Sequence, residues 1–575
     1  MAIGTPSESP AIVVKEVDIT GVVPNVQSST GAFVGNFRWG PVEQATLINN
    51  EGTLASTFGA PNDDTAVDFL SAAYFLRYSQ SLQTVRMATT DAKNASDISV
   101  STQPTVKNDD NYDTQQSALD SDNHVFIGKF PGDLGNSLKV ETCPTSTSDS
   151  AFDNWTYVAE FDTAPGTSSF ATGVGALNDE MHVVVIDEDG LFTGTRGTVL
   201  ERYPFVSVAS NAKSGDGTSN YIIDVINNRS NYIKMVGFGS SQFSATAGTA
   251  AAAAVDYENA SFDDVRSGSL ANGVNSGTLT PGNVATGFDL LDDKDTIQVD
   301  FLIAPGMNAR ADQTTVVNDL VTIAQSTRKD CVAVASPART DIVNSSTPNA
   351  NAVLTAATFT NSSYLIIDNN YLKVYDKYND KYRYIPAASS TAGIMAATDL
   401  NAAPWFSPGG PRRGQYLGIT ALSYTPTKVE RDTLYKAGVN PVANIPGQGV
   451  LLFGDKTKLN RPSAFDRINV RRLFLVIERA IALAARNTLF EFNDEFTRAE
   501  FVGIVEPFLR EIKGRRGITD FRVVCDDTNN TAAVVDRNEF VANIFIKPAR
   551  SINYITLNFV AVRSGVDFEE VAGTV

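Results

Sequence analysis

A long polar region divides this 575-residue chain into two stretches with compact patterns of helix and strand. From about residue 90 to residue 295, Ser, Thr, Asn, Asp and Gly dominate the sequence. Short strand-like runs recur there (HVFIGKF, MHVVVID and YIIDVI), and EDG at 188–190 is a hairpin signal. This pattern predicts one or two inserted β-rich domains at 96–296.

The stretches on either side of the insertion have the pattern of one α/β domain. Before it, AVDFLSAAYFLRYSQ has apolar residues at helical spacing, and LQTVRM follows as a strand. After it, DFLIAPG and VVNDLVTIAQSTRKDCVAVASPA form a strand–helix–strand unit. We therefore predict that 31–95 and 297–405 are two parts of one core α/β domain, split by the insertion.

A Pro/Gly-rich joint, AAPWFSPGGPRRG, introduces a predicted α+β domain at 406–575. Ser463 and Asp466 resemble a capping box. The helix that follows is predicted to bury one face, made of Val470, Leu473, Phe474, Ile477, Ile481 and Ala484. A second helix, from about Asp494 to Lys513, is expected to break or kink at Pro507 and to stop at Gly514. The strands FRVVCD, EFVANIFI and INYITLNFVAV complete a mixed, multidomain α+β chain.

Both ends of the chain have the pattern of strands. The last predicted strand has one wholly apolar face, which consists of Ile555, Leu557, Phe559 and Ala561. Residues 1–30 form a predicted arm with a short strand, AIVVKEVDI, whose apolar residues are Ile12, Val13, Val14, Val17 and Ile19. Unpaired strand edges need partners for their backbone groups. The residues alone leave open whether those partners lie in the same chain or in another copy.

Charge and composition exclude several classes of protein. A net charge of −19 and a pI near 4.6 count against a nucleic-acid binder, because phosphate would be repelled over most of the surface. Three cysteines that lie far apart in sequence imply no disulfide framework. The N-terminus lacks the pattern of a signal peptide, and no apolar run is long enough to span a bilayer. We expect a soluble protein that does not insert into membranes.

Few residues have the type and spacing that a chemical site needs. His124 and His182 lie in predicted strands without ligand-spaced partners, so we expect structural roles for both. GVLLFGDKT has the glycine spacing of a phosphate-binding loop, but Asp455 separates the second glycine from Lys456 and would repel a phosphate. A strand that ends in a turn is the favoured interpretation. We predict no catalytic, cofactor-binding or metal-ligating residues, and no enzyme.

Basic residues are concentrated at the C-terminus. Residues 461–575 carry sixteen basic and sixteen acidic side chains, so the preceding 460 residues carry the whole net charge of −19. Arg472, Arg479 and Arg486 are spaced by seven along a predicted helix, on one stripe away from its apolar face. Two interpretations remain open, a solvated helix face and a docking surface for an acidic partner.

The C-terminal sequence closely resembles the contractile tail sheath proteins of T-even-type bacteriophages. The resemblance rests on PSAFDRINVRRLFLVIERAIALAARNTLFEFNDEFTRAEF, EPFLREIKGRRGITDFRVVCDDTNN and VVDRNEFVANIFIKPARSINYITLNFVAVRSGVDFEE. It covers about the last 120 residues almost without gaps. Weaker similarity covers GAFVGNFRWGPVE, DFLSAAYFLRYSQSLQTVRM and FPGDLGNSLKVE.

The resemblance implies a structural subunit of a virion. It implies that the N-terminal arm and the C-terminal strand are exchanged between neighbouring copies, and that stacked helical rings surround a tail tube. Contraction would drive the tube through the host cell envelope for genome ejection. The implied partners are other sheath copies, the tail tube protein, and the baseplate and tail terminator proteins, with assembly in the host cytoplasm.

The charge distribution suggests which parts of the chain face the tube. We expect residues 406–575 to face the tube, with Arg472, Arg479 and Arg486 as tube-contact candidates, and the insertion to project outward. The sheath of a tail-derived injection machine, such as a pyocin or a secretion system, is the alternative within this architecture. A nucleotide-hydrolysing enzyme built around Lys456 is the alternative from another class.

Overall fold

The structure is a computed structural model that describes residues 28–98, 103–145, 150–239, 243–258 and 265–553. The chain divides into two compact units, and we describe each by itself. The larger unit extends to Leu483, and the described part of the smaller unit is 484–553. The division therefore falls well after residue 405, where we predicted the C-terminal domain to begin.

The elements of the larger unit follow in chain order. Its strands are β1 (Gly31–Gly35), β2 (Ala45–Ile48), β3 (Leu82–Arg86), β4 (Phe126–Gly128), β5 (Leu138–Pro144), β6 (Glu180–Asp187), β7 (Thr198–Ser207), β8 (Ile233–Met235), β9 (Arg266–Ser269), β10 (Phe301–Ile303), β11 (Val332–Ala335), β12 (Leu365–Ile367), β13 (Tyr371–Asp376), β14 (Lys381–Pro386), β15 (Ala421–Leu422), β16 (Val442–Ile445) and β17 (Gly449–Leu452). Its helices are α1 (Glu51–Phe58), α2 (Ala66–Leu76), α3 (Asp109–Ser121), α4 (Ser150–Asp153), α5 (Ser169–Val174), α6 (Ile222–Arg229), α7 (Pro281–Asp289), α8 (Arg310–Thr322), α9 (Arg339–Ile342), α10 (Pro348–Thr358), α11 (Ala388–Asn401), α12 (Lys428–Lys436) and α13 (Ile468–Ala485), which ends at the division.

The central sheet is built from both sides of the insertion. Its strand order in the described residues is β12-β11-β10-β1-β3-β2, parallel throughout except for the edge strand β2. Phe33 of β1 pairs with Ile303 of β10, so the strand before the insertion lies directly beside the strand after it. The segments that we predicted to form one domain thus contribute to the same sheet.

Hydrophobic cores lie on both faces of this sheet, because successive side chains of a strand point in opposite directions. Phe33 packs into the core formed with α2 and α11. Its neighbours Ala32 and Val34 pack into the core formed with α7, α8 and α10. Helices on both faces of a parallel sheet define a doubly wound α/β layer. The predicted mixed α/β architecture is confirmed.

The insertion is rich in antiparallel strands. Within the described residues it contains a four-stranded sheet of order β7-β6-β5-β9 and the pair β4 and β8. YIIDVI, which we predicted to be a strand, forms part of helix α6 instead. Ile222, Val225 and Ile226 are all buried, and their spacing fits one helical face. A six-residue apolar run is too short to distinguish the two structures from the sequence.

A buried arginine joins the insertion to the core sheet. Arg86, at the end of β3, is fully buried and donates hydrogen bonds to the carbonyls of Phe37 (2.8 Å), Gly40 (2.7 Å) and Pro131 (2.6 Å). Burial lowers the pKa of Arg86 to about 9, and Asp133 opposes that effect. The guanidinium remains charged at neutral pH, and its donors satisfy carbonyls of both segments.

The smaller unit contains helices α14 (Glu495–Gly514) and α15 (Ala532–Val535) and strands β18 (Ile518–Val524) and β19 (Asn543–Pro548). Helix α14 runs through Pro507, so of the predicted break or kink there the break is wrong, and the helix ends at Gly514 as predicted. Pro507 and Gly503, four residues earlier, both lie on the exposed side of the helix. Water can therefore satisfy the carbonyl that the proline leaves unbonded. Among the described residues, no helix combines the length and apolarity needed to cross a bilayer.

We predict that one buried carboxyl gives the larger unit a measurable pH dependence. Asp368 follows β12, is fully buried, and accepts hydrogen bonds from Ser336 Oγ (2.8 Å) and Thr391 Oγ1 (3.0 Å). Burial raises the pKa of Asp368 to about 7, although these hydrogen bonds oppose the shift. The folded chain keeps the proton to higher pH than the unfolded chain. The stabilisation is therefore complete below about pH 4 and is lost as the pH rises through about 7.

The variant Asp368→Asn removes this titration. Relative to the variant, the wild-type free energy of unfolding should fall by up to about 4 kcal/mol between about pH 4 and pH 7. Chemical denaturation at a series of pH values measures the difference. Asp432→Asn, an exposed position on α12, is the control. Parallel pH profiles for the wild type and Asp368→Asn would contradict the prediction.

Candidate assembly site

The predicted connector strands lie outside the described residues. This holds for Ile12, Val13, Val14, Val17 and Ile19 of the arm, and for Ile555, Leu557, Phe559 and Ala561 of the last strand. The described residues that adjoin these segments in sequence are Ser28, just before β1, and Asn553, which follows β19. We therefore describe the candidate assembly site from the described residues that continue into the connectors, and from the sheet of the smaller unit.

Residues 28–30 are held by side chains from distant parts of the larger unit. Arg472 Nη2 donates to the carbonyl of Ser28 at 3.1 Å, and Ser28 Oγ donates to Asp399 Oδ2 at 2.9 Å. The backbone N–H of Thr30 donates to Asp300 Oδ2 at 2.9 Å. We call residues 28–30 the arm root. Its course into β1 is thus determined by α11, α13 and the start of β10.

Arg472 is buried inside the larger unit. Its side chain is 5% exposed and forms an ion pair with Asp399, whose side chain is 3% exposed. Its guanidinium also donates to the carbonyl of Met395 at 3.1 Å and lies 4.6 Å from the ring centroid of Phe301. Burial raises the pKa of Asp399 to about 6, against the opposing effect of Arg472.

Arg479, seven residues after Arg472 on α13, makes a second ion pair. Its Nη1 donates to Asp300 Oδ1 at 2.6 Å, and its Nη2 donates to the carbonyl of Asp330 at 2.7 Å. Burial lowers the pKa of Arg479, but Asp300 and Asp330 outweigh it and leave the pKa raised. Asp300 is therefore shared between the arm root and α13.

These contacts correct the expectation of an exposed arginine stripe. The spacing of seven does place Arg472 and Arg479 on one face of α13, but that face packs against carboxylates of the larger unit. Neither side chain is available to an outside partner in this structure. Arg486 is exposed and belongs to the smaller unit. The partners Asp399 and Asp300 are 73 and 179 residues away from their arginines, so no local pattern indicates them.

The smaller unit contains an incomplete sheet. Strands β18 and β19 are antiparallel, with Phe521 opposite Ile546 and Val523 opposite Ile544. Within 265–553 neither strand has another strand partner. Phe545 is 59% exposed. A two-stranded sheet is marginally stable by itself, and its free edges can pair with added strands.

The segment that resembles a phosphate-binding loop is occupied by internal contacts. Lys456 Nζ donates to the carbonyl of Tyr435 at 2.8 Å, and Thr457 Oγ1 donates to the carbonyl of Phe465 at 2.8 Å. Asp455 accepts from Arg467 Nη1 at 2.9 Å. No helix begins directly after Thr457, since α13 starts at Ile468. The segment is a strand followed by a turn, and it lacks the phosphate-binding arrangement.

Both histidines make contacts inside the fold. His182 Nε2 donates to the carbonyl of Thr163 at 2.8 Å, and its Nδ1 accepts from the N–H of Phe205 at 3.1 Å. His124 Nδ1 lies 2.6 Å from Ser96 Oγ. Burial lowers the pKa of both histidines. His182 lies in β6, as predicted, whereas His124 precedes β4. Among the described residues, no group of three or more His, Cys, Asp or Glu side chains could hold a metal ion.

Comparisons with known proteins match nearly the whole chain. Residues 283–458 match the model of the phage tail sheath protein central domain, and 460–561 match the phage tail sheath C-terminal domain. The tail sheath protein of Vibrio phage KVP40 is 30% identical, over 98% of this chain and 99% of that protein. The tail sheath protein of Enterobacteria phage T4 is 31% identical, over the same shares of both chains.

Solved structures show the same fold at low sequence identity. A sheath tail protein from Listeria innocua has a TM-score of 0.55 and 12% identity, over 92% of this chain and 93% of that chain. A sheath tail protein from Desulfitobacterium hafniense has a TM-score of 0.53 and 12% identity, over 94% and 100%. These similarities support the mixed α/β architecture described above.

We predict that Arg472→Ala destabilises the larger unit far more than Arg486→Ala. The first change leaves Asp399 buried without its partner, which should reduce the free energy of unfolding by about 3–5 kcal/mol. The second removes an exposed side chain and should change it by about 0.5 kcal/mol or less. Denaturant titration of both variants measures the difference. Equal losses in the two variants would contradict the structural role assigned to Arg472.

Proposed function

The chain belongs to the contractile phage tail sheath family, and from this premise we propose how its own residues link the copies of a sheath. It is a structural protein of the contractile tail. We propose that copies assemble as stacked helical rings around a tail tube, and that contraction drives the tube through the host cell envelope for genome ejection. The tube protein, the baseplate and the tail terminator are its proposed partners in the virion.

The incomplete sheet of the smaller unit carries this proposal. Strands β18 and β19 have no further strand partner within 265–553, and β19 alternates exposed and half-buried side chains. Strand addition supplies backbone hydrogen bonds and sets the register through alternate side chains. We propose that terminal strands of neighbouring copies complete this sheet. Because donor and acceptor surfaces differ, the contact is head-to-tail and grows a helical assembly.

The arm root supports the same proposal from the donor side. Ser28 and Thr30 are fixed by Asp399, Arg472 and Asp300, so the arm leaves each subunit from a defined position. A fixed exit reduces the conformational entropy that the arm loses when it binds a neighbour. The apolar strand residues of the arm, Ile12 to Ile19, are the proposed contacts with that neighbour.

Contraction needs no chemical step in this proposal. The extended sheath would be kinetically trapped and the contracted sheath lower in free energy, so that the energy is stored during assembly. Subunits would move as rigid bodies, which agrees with the close packing of the central sheet of the larger unit. The internal contacts of Lys456 and Thr457 count against the alternative of a nucleotide-hydrolysing enzyme. A sheath of a tail-derived injection machine would use the same connectors.

We further propose an orientation. Residues 461–575 are neutral overall, whereas the rest of the chain carries −19, so an acidic exterior would keep a large assembly soluble. The C-terminal region would face the tube, and the insertion would project outward. Since Arg472 and Arg479 are buried in ion pairs, Arg486 is the remaining tube-contact candidate of the three.

Deleting residues 1–22 tests the connector proposal. We expect a folded, soluble subunit that does not form stable sheaths, because the donated strand is missing while the arm root is intact. Electron microscopy of the purified variant beside the full-length chain measures assembly, and thermal unfolding checks the fold. Tubes of normal length from the variant would contradict the proposal.

Charge reversal and proteolysis test the orientation. Arg486→Glu should impair assembly on the tube but permit tube-free sheath polymers, because it puts a carboxylate on the exposed surface that is proposed to face the tube. Arg196→Glu, an exposed position in the insertion, is the matched control and should leave both unchanged. A protease should cut the insertion of intact extended tails and spare 470–490. Cleavage at 470–490 with an intact insertion would reverse the proposed orientation.

A further inference from the structure

A basic groove lies in the larger unit, beside the C-terminal end of α12. Its volume is about 550 Å³, and apolar side chains such as Phe359 and Leu459 form part of its lining. Four cationic side chains line the groove as well, namely Lys436, Lys456, Lys458 and Arg461. Asp466 is the carboxylate among the lining residues. Four cations against one carboxylate is an unusual surface on a chain with a net charge of −19.

The cations of this groove lack carboxylate partners. Within the described part of the chain, none of the four forms an ion pair. Lys458 is only 4% exposed and donates to the carbonyl of Ala437 at 2.8 Å. Lys456 makes the corresponding contact with Tyr435. Lys436 and Arg461 are exposed at the rim. The groove therefore presents an excess of positive charge next to apolar surface, which Asp466 offsets only in part.

A segment of the smaller unit has the complementary character. Residues 489–496, LFEFNDEF, combine apolar and acidic side chains. The exposed fractions are 62% for Leu489, 104% for Phe490, 83% for Phe492 and 77% for Phe496. Three large aromatic side chains exposed together are typical of an interaction site rather than of a solvated loop. Glu491 and Glu495 lie between them and are exposed as well.

We propose that the acidic aromatic segment 489–496 of one copy binds in the basic groove of a second copy. The phenylalanines would cover the apolar lining around Phe359 and Leu459, and Glu491 and Glu495 would meet Lys436 and Arg461. Charge complementarity at such a contact determines which surfaces meet and in which orientation. The inference rests on the proposed function, because it requires neighbouring copies. It adds a side-chain contact to the strand exchange.

The contact is of the head-to-tail kind. Groove and segment are different surfaces of the same chain, so each copy offers one of each, and the contact can repeat from copy to copy as a ring or a helix. Individual ion pairs at the rim are weak because water screens them. Repetition along a polymer makes the summed binding free energy large, while each single contact can still break. That combination suits an assembly whose subunits must rearrange.

Cross-linking tests the contact directly. One chain carries Arg461→Cys, a second and differently tagged chain carries Phe492→Cys, and the two are co-assembled and oxidised. The native thiols Cys143, Cys331 and Cys525 are all buried and should not compete. We expect about tenfold more disulfide between the two tags than for Leu400→Cys with Phe492→Cys, because docking raises the local concentration of the pair. Leu400 is exposed and lies on α11, outside the groove lining.

Charge exchange gives the second readout. Lys436→Glu with Arg461→Glu should raise the concentration at which tubes form by about tenfold. Glu491→Lys with Glu495→Lys in the same chain should restore it. Because a merely unfolded variant would not be rescued, recovery separates contact from folding. Failure of rescue together with absence of the cross-link would overturn the inference.

Other outcomes separate this inference from its premise. If the wild-type chain forms no tubes, the proposed function itself fails. If tubes form normally with both charge-reversed residues, the groove inference is wrong and the proposed function stands. A chain with both cysteines, diluted into excess unsubstituted chain, should form no internal disulfide. An internal disulfide would make the contact intramolecular. Binding of inorganic phosphate that Lys436→Glu and Arg461→Glu abolish, without effect on assembly, would identify an anion site instead.

Discussion

Asp300 connects three parts of the chain that are remote in sequence. One carboxylate oxygen accepts the N–H of Thr30, 270 residues earlier, and the other accepts from Arg479, 179 residues later. A carboxylate that is 7% exposed must be paired, because an unpaired buried charge is strongly destabilising. The start of β1, the strand after the insertion and the helix that leads to the smaller unit are therefore fixed to one another.

The two units differ in how complete they are. The larger unit has a parallel sheet covered by helices on both faces, with cores on each side. The smaller unit has a two-stranded sheet with half-exposed faces and a run of exposed phenylalanines at 489–496. A larger unit with complete cores, joined to a smaller unit with an incomplete sheet, is a suitable building block for a polymer. In the proposed assembly, the larger unit keeps its shape, and the smaller unit supplies part of the free energy of association.

The sequence is informative where periodicity decides the structure. The strand–helix–strand pattern after the insertion predicts β10, α8 and β11, and the helix at 66–76 follows from its apolar spacing. The candidate site is less predictable, because the side chains that pair with each other there are far apart in the sequence. The spacing of Arg472 and Arg479 indicates a shared helix face, but the carboxylates that pair with them are Asp399 of α11 and Asp300, which directly precedes β10. Only the tertiary fold brings them together.

The three thiols have a consequence for the life of a virion outside its host. Cys143, Cys331 and Cys525 are all buried, and burial raises the pKa of each; for Cys143 it reaches about 12. Because the thiolate is the reactive form, these side chains are protected against oxidation and disulfide exchange at neutral pH. Without burial, oxidation by dissolved oxygen would form disulfide bonds between neighbouring copies and hold the assembly in one state. Burial of the three thiols therefore protects the chain against disulfide formation between neighbouring copies at neutral pH.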